Sequence, residues 1–281
     1  MLQEHFDTAV LFLVFNRIKQ TKKVFNEIKK VQPKRLYIAS DGPRDNYPSD
    51  VKQVHEIREF LSKNIDWSFS VRTLYRNKNL GCKFAVSQAI SWFFENESQG
   101  IILEDDILPN ETFFKFCHNA LNIFKSKPNI GAISGTNLLS DAKKNDQCYS
   151  LHGSVWGWAS WADRWQSYDV EDIRLSILDC LKYATSLSEF IHILRIKRHI
   201  KSAKYNSWDY QWLFLRIKKD WLTVMPKYNY IQNIGFESGT HCNGEMGFSY
   251  PRSNKSYYLV DSRNPSRNTD YDKDLWNYKN E

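Results

Sequence analysis

A short apolar run followed by a stretch of helical period, met four times in succession, constrains this 281-residue chain more than any other feature. "AVLFLVF" (9–15) is continuously apolar, as a strand covered on both faces must be. In "TKKVFNEIKKVQP" the residues Val24, Phe25, Ile28 and Val31 fall at helix spacing, and Pro33 stops the run. "RLYIAS" (35–40) is the next strand and "DGP" (41–43) the turn after it. Val51, Val54, Ile57 and Leu61 then share one helical face. "WSFSVRTLY" (67–75), a helix over 83–96, "GIIL" (100–103), an Asn-capped helix over 110–128 and "IGAIS" (130–134) complete the series. Strands alternating with helices predict an α/β protein: a mostly parallel sheet with helices on both faces.

Ligands of such sheets bind beyond the carboxyl ends of the strands. Three polar clusters stand at those ends: "NR" (16–17), "SDGPR" (40–44) and "EDD" (104–106). The strand assignments turn all three toward one crevice. The second half reads differently. "SVWGWASWADRWQSYD" (154–169) is dense in tryptophan, and helices are expected at about 173–184, 187–203 and 207–220. "WLTVMP" (221–226) is a strand and "NIGFESGTHCNGEMG" (233–247) a Gly-rich loop. No repeat or linker interrupts residues 1–247, which predicts one domain: a nucleotide-binding half (1–135) and an acceptor half (136–247). Residues 248–281 form a polar, Tyr-rich tail with no clear period.

The net charge of +7 suits a phosphate-bearing ligand or an anionic membrane surface, and an ordinary basic surface equally well. No zinc-finger spacing or RNP signature is present, so no nucleic-acid partner is expected. Five scattered cysteines without a C-x-x-C argue against a disulfide framework or structural zinc and for a reducing compartment. "TAVLFLVF" (8–15) is too short for a signal peptide or a membrane span, so the expected location is the cytosol.

Neighbouring carboxylates repel unless a cation neutralises them. Glu104, Asp105 and Asp106 at the end of a strand therefore suggest Mg²⁺ or Mn²⁺, which bind one or two carboxylates together with phosphate oxygens and water. The plainer reading is a solvated acidic loop. Arg76, Asn79, Gly81 and Lys83 precede a helix, where a base beside the N-terminus suits a phosphate; a solvated Gly turn is the alternative, and Gly81 is read as serving the backbone. Asp209 lies between Trp208 and Trp212, where desolvation would raise it toward a general base's range. A helix cap is the alternative there, and Glu237 is the reserve base. Trp156 and Trp158 flank Gly157 and offer broad faces to a sugar, or else pack in the core, the commoner fate of tryptophan. His241, between glycines, could meet a phosphate or a metal, or stand on the surface.

These segments resemble GT-A glycosyltransferases. The apolar strand ending in EDD resembles their DxD metal motif. "VLFLVFNR" with "TKKVFNEI" looks like the opening strand and helix, and "LYIASDGPR" like the second strand, with an Asp that contacts the nucleotide. "RNKNLGCKFAVSQAI" (76–90) resembles the N-x-G-x-x-x-A segment, and "WGWASWADRW" and "SWDYQW" are similar to segments of bacterial members. The resemblance spans about 9–247 and points to bacterial sugar transferases related to the N-acetylglucosaminyltransferase I group. It implies a GT-A (Rossmann-like) fold with a more helical, Trp-rich acceptor half. It also implies roles. Asp106 would bind Mn²⁺ or Mg²⁺ directly, with His241 in reach, and Glu104 and Asp105 would meet ribose, or the metal through water. Phe15, Asn16 and Arg17 would line the nucleotide pocket, Asp41 would meet the base, and Arg76, Asn79 and Lys83 the donor. Asp209 would be the base, with Trp156, Trp158 and Glu237 on the acceptor side. The implied activity is inverting transfer from a nucleotide-diphosphate sugar, a UDP-sugar, to a glycan or lipid-linked acceptor; separately, the basic balance and the aromatic-rich tail suit peripheral contact with an anionic membrane. Two other readings stand beside it. A sugar-phosphate nucleotidyltransferase would carry glycines after its first strand, and "VFNRIKQTKK" has none. A non-catalytic carbohydrate-binding protein would suit the tryptophans but has no need of clustered acids.

Overall fold

The computed structural model describes residues 6–67, 70–139, 147–171, 174–201, 207–235, 251–257 and 259–279. The first half runs β1 (Ala9–Val14), α1 (Ile18–Val31), β2 (Arg35–Ser40), α2 (Pro48–Asn64), β3 (Ser70–Tyr75), α3 (Gly81–Phe94), β4 (Gln99–Glu104), β5 (Ile107–Pro109), α4 (Glu111–Phe124) and β6 (Ile130–Ser134). The second half runs β7 (Gln147–Ser150), β8 (Trp158–Trp161), α5 (Ala162–Trp165), α6 (Ile177–Tyr183), α7 (Leu187–Lys201), α8 (Asp209–Lys218), β9 (Leu222–Pro226), β10 (Ile231–Asn233) and α9 (Thr269–Tyr278).

Eight strands form one sheet in the order β3-β2-β1-β4-β8-β6-β9-β7. β3, β2, β1 and β4 pair in parallel, as do β6 and β9, while β8 and β7 run antiparallel to their neighbours. The sheet is thus mostly parallel and flanked by helices, a Rossmann-like arrangement. β1 is buried along its whole length. Its alternate residues feed two cores. Val10, Phe12 and Val14 pack with residues of α1, α2 and α4, and Leu11 and Leu13 with residues of α3 and the tryptophans. Opposite faces of one strand must do this when helices cover both sides.

The Trp-rich segment contributes a strand that the sequence does not announce: Trp158–Trp161 forms β8 and lies between β4 and β6. One expectation is corrected here. The tail gains a period. Asn268 caps α9 by accepting the Tyr271 N–H at 2.9 Å, and Tyr271 and Leu275 pack with Met225.

Candidate active site

The strand order places a topological switch point between β1 and β4, where successive connections leave in opposite directions along the sheet. Leu13 pairs with Glu104, so the two strands end level. Phe15–Arg17 and Asp105–Asp106 therefore leave the sheet side by side. The Phe15 N–H donates to Asp105 Oδ2 at 3.2 Å. One guanidinium nitrogen of Arg17 reaches Asp105 Oδ1 at 2.5 Å and the other reaches Asp106 Oδ2 at 2.8 Å. Arg17 thus spans both acids, and its pKa is raised further by Asp105 and Asp106 against the opposing cost of burial.

One guanidinium does not balance three carboxylates. Burial pushes Glu104 up to about 8, with Asp106 and Asp105 adding to the shift and Arg17 opposing it. Burial likewise pushes Asp105 up to about 6, against the pull of Arg17. The site favours a further positive charge, a proton or a cation. The Asp209 carboxylate raises Glu104 in the same direction and so lies within electrostatic reach of it. Cys82, in the first turn of α3, is exposed. Burial of its sulfur, then Glu104 and Asp209, push its thiol up to about 12.

A group held above its unfolded value binds a proton more readily in the folded chain. Between the ordinary value of 4.5 and about 8, Glu104 therefore makes stability fall as pH rises. Glu104→Gln is expected to flatten that slope between pH 6 and 8 and to raise the pH 8 melting temperature by about 2–4 °C, the response to roughly 1 kcal/mol. Thermal unfolding of both proteins at the two pH values checks this; an unchanged slope would contradict it.

Asp209 begins α8, whose N-cap is Trp208. Its Oδ1 accepts from the Ser207 hydroxyl, and from the Tyr210 N–H at 3.0 Å. Trp208 itself is fixed by aromatic packing. Its ring stacks on Trp158 at 5.8 Å, and the Tyr168 hydroxyl donates to its carbonyl at 3.0 Å. Trp158 also meets Trp212 and Trp165 and is 1% exposed. Trp158 is therefore core, and no face of it is open to a sugar. These rings hold the first turn of α8 instead. Trp156 stays half-buried, its carbonyl accepting from the Thr136 hydroxyl at 2.7 Å.

Asp41 and Asn79 form a second knot after β2, while Asn16, Arg76 and Lys83 each have a partner of their own. The Asp41 carboxylate accepts the Leu80 N–H at 3.0 Å and the Gly81 N–H at 3.1 Å, so it anchors the start of α3. Gly81 has φ +75°, which confirms its backbone role. The Asn79 side chain donates to the Gly42 carbonyl at 2.8 Å. Asn16 donates to Asp50 at 2.9 Å. Arg76 lies against Gln88 of α3 at 3.4 Å, and the Lys83 ammonium sits 5.2 Å from the centre of the Phe84 ring. Glu237 and His241 lie outside the described residues. The chain toward them leaves from the acids, because the Ile234 N–H donates to the Asp106 carbonyl at 2.8 Å and Gly235 abuts the Asp106 carboxylate.

Two positioning residues carry no signal in the sequence. Arg58 donates to the carbonyls of Ser40, Asp41 and Arg76, tying together the ends of β2 and β3. Asp50, 1% exposed, gathers Asn16 and Arg44, and the Arg44 guanidinium holds its carboxyl below the usual range. The same two strand ends approach closely at Gly42, where an added Cβ would stand 2.4 Å from the Lys78 carbonyl carbon. Gly42→Ala is expected to cost about 1–3 kcal/mol, the usual range for overpacking. Chemical denaturation measures it, and an unchanged midpoint would refute the close approach.

No family model matches the chain, and no curated protein matches it. Solved structures do. A mannosyltransferase of Pyrobaculum calidifontis, solved with GDP-Man and Mn²⁺, is similar at 10% identity over 61% of this chain and 50% of that one, with a TM-score of 0.41. HddC of Yersinia pseudotuberculosis is similar at 13% identity over 56% and 77% of the two chains, with a TM-score of 0.33. The inositol-1-phosphate CTP transferase of T. maritima is similar at 10% identity over 77% and 98%, with a TM-score of 0.37. This chain spans half the length of the mannosyltransferase. Chains so different in sequence share at most a fold with this one.

Proposed function

We propose that this chain is a metal-dependent, inverting glycosyltransferase of GT-A architecture, related to the N-acetylglucosaminyltransferase I group. It moves a sugar from a nucleotide-diphosphate donor, a UDP-sugar, to a hydroxyl of a glycan or lipid-linked acceptor. One observation carries the reading: Glu104, Asp105 and Asp106 gather with Arg17 at the β1/β4 switch point, within electrostatic reach of Asp209.

The residues present suit a divalent cation that takes most of its ligands from substrate and water. Arg17 engages one oxygen of Asp106 and leaves the other, and no described residue donates a hydrogen bond to the Glu104 carboxylate. Among the described residues no three His, Cys, Asp or Glu side chains are grouped to hold a metal by themselves. Hard oxygens in small number, completed by phosphate and water, are how Mg²⁺ and Mn²⁺ bind at phosphate sites. Asp106 and Glu104 would hold the cation, with His241 in reserve. It would supply neutralisation of the charge that builds on the leaving diphosphate.

The chain's own groups do the rest. Asp105, fixed by the Phe15 N–H and by Arg17, orients the turn after β1 toward the nucleotide. Arg17 keeps Asp106 aligned and adds positive charge beside the diphosphate. Asp41, Arg76, Asn79 and Lys83 shape the far wall of the donor pocket. Asp209 accepts the proton of the acceptor hydroxyl as that oxygen attacks the anomeric carbon. The bond from this carbon to the diphosphate breaks, and the nucleoside diphosphate leaves.

The test is to incubate the protein with Mn²⁺, UDP-sugars and glycan acceptors and to follow release of UDP. Turnover that stops with EDTA supports the reading. Pyrophosphate release from a nucleoside triphosphate and a sugar phosphate would assign nucleotidyl transfer instead.

A further inference from the structure

Five aliphatic side chains of α6 and α7 stand in water. Ile177, Leu178 and Leu181 of α6 are 62%, 76% and 54% exposed, and Leu187 and Ile191 of α7 are 73% and 42% exposed. The two helices are consecutive and pack on each other. Single surface leucines are ordinary, but this many on two adjoining helices are not. On α7 the exposed Leu187, Ile191, Arg195 and Arg198 recur at helical spacing, so they form one stripe. Its first half is aliphatic and its second half basic.

The two helices carry one acid each, and Asp220 beside them is paired with Lys182 of α6. Glu189, the one acid in the α7 sequence, is 1% exposed and accepts from the Thr185 N–H at 2.7 Å. Asp179, the one acid in α6, closes a capping box on Ser176. Neither Arg195 nor Arg198 pairs with an acid among the described residues. Leucine and isoleucine beside unpaired arginine is the composition of helices that lie in a membrane interface. A protein partner's core would call instead for the aromatic anchors that dominate such contacts. No helix among the described residues is long and apolar enough to cross a membrane, so the contact is one of lying on the surface.

We propose that α6 and α7 form a docking surface for an anionic lipid bilayer. The aliphatic side chains enter the headgroup boundary, and Arg195 and Arg198 meet lipid phosphates. Eight positions separate Lys201, the end of α7, from Asp209. α6 also packs on α8, the helix that Asp209 begins. Resting on the proposed activity, this assigns the acceptor to the membrane: a lipid-linked glycan presented to Asp209 at the bilayer surface.

The experiment is co-sedimentation of the full chain with phosphatidylcholine vesicles, with and without phosphatidylglycerol. Wild type should sediment with the anionic vesicles only, and less at high salt. Leu178→Glu with Leu181→Glu, and separately Arg195→Glu with Arg198→Glu, should each weaken binding by about tenfold or more. All four side chains are exposed, so unchanged thermal unfolding should accompany the loss. Wild type remaining in the supernatant, or variants binding as wild type does, would overturn the proposal. So would a wild-type dimer in ultracentrifugation that the leucine variant abolishes, which would assign the face to a second copy of the chain. UDP calorimetry on the same preparation keeps the two readings apart: nucleotide binding without vesicle binding overturns the docking alone, and the reverse overturns the transferase alone.

Discussion

Asp209→Asn lowers kcat for sugar transfer by about 10²–10⁴-fold, the usual worth of a positioned general base, and leaves nucleotide affinity unchanged. Asparagine keeps the oxygen that accepts from the Ser207 hydroxyl and the Tyr210 N–H, so the first turn of α8 survives. What it loses is proton affinity at the second oxygen, to which no described residue donates. Steady-state kinetics with calorimetry on the same variant measures both quantities. Full activity would move the base elsewhere, with Glu237 next in line. A parallel loss of nucleotide binding would make Asp209 a donor contact instead.

Asp106→Asn has the larger effect on binding. It removes the carboxylate nearest the Gly-rich segment and spares the Arg17 bond to Asp105. The cation-dependent part of nucleotide affinity should fall at least about 10²-fold, since loss of mere outer-shell partners already costs 10–100-fold. Any binding that does not need the cation should persist, because the Phe15–Asp105 and Asp41–Leu80 bonds remain.

Much of the nucleotide half is legible in the amino-acid sequence. β1, β2 and β4 announce themselves because a strand covered on both faces needs an unbroken apolar run. β8 is hidden because its two tryptophans read equally as core and as a sugar platform, and because Ser160 buries a hydroxyl that donates to the Gly131 carbonyl at 2.7 Å. β7, "QCYS", is four residues long and carries no alternation that could be told from a loop. α9 is hidden for a related reason: its buried apolar residues are only Tyr271 and Leu275. At the site, the acids and Arg17 are visible as polar clusters at strand ends that face one crevice, but their ion pairs are not. Arg17 and Asp105 are 88 positions apart, and only the register of β1 against β4 brings them level. Asp50 and Arg58 read as ordinary helix surface, since the backbone carbonyls and side chains they serve belong to other strand ends.

Calorimetric titration of UDP into the protein, with Mn²⁺ and then with EDTA, tests the central claim most directly. The account predicts tight binding with Mn²⁺ that EDTA abolishes and Asp106→Asn reproduces in its weakened form. Binding indifferent to EDTA would leave the nucleotide in the crevice and make Arg17 the sole counter-charge of the acids. No binding of UDP, nor of GDP or CMP, would contradict the transferase reading outright.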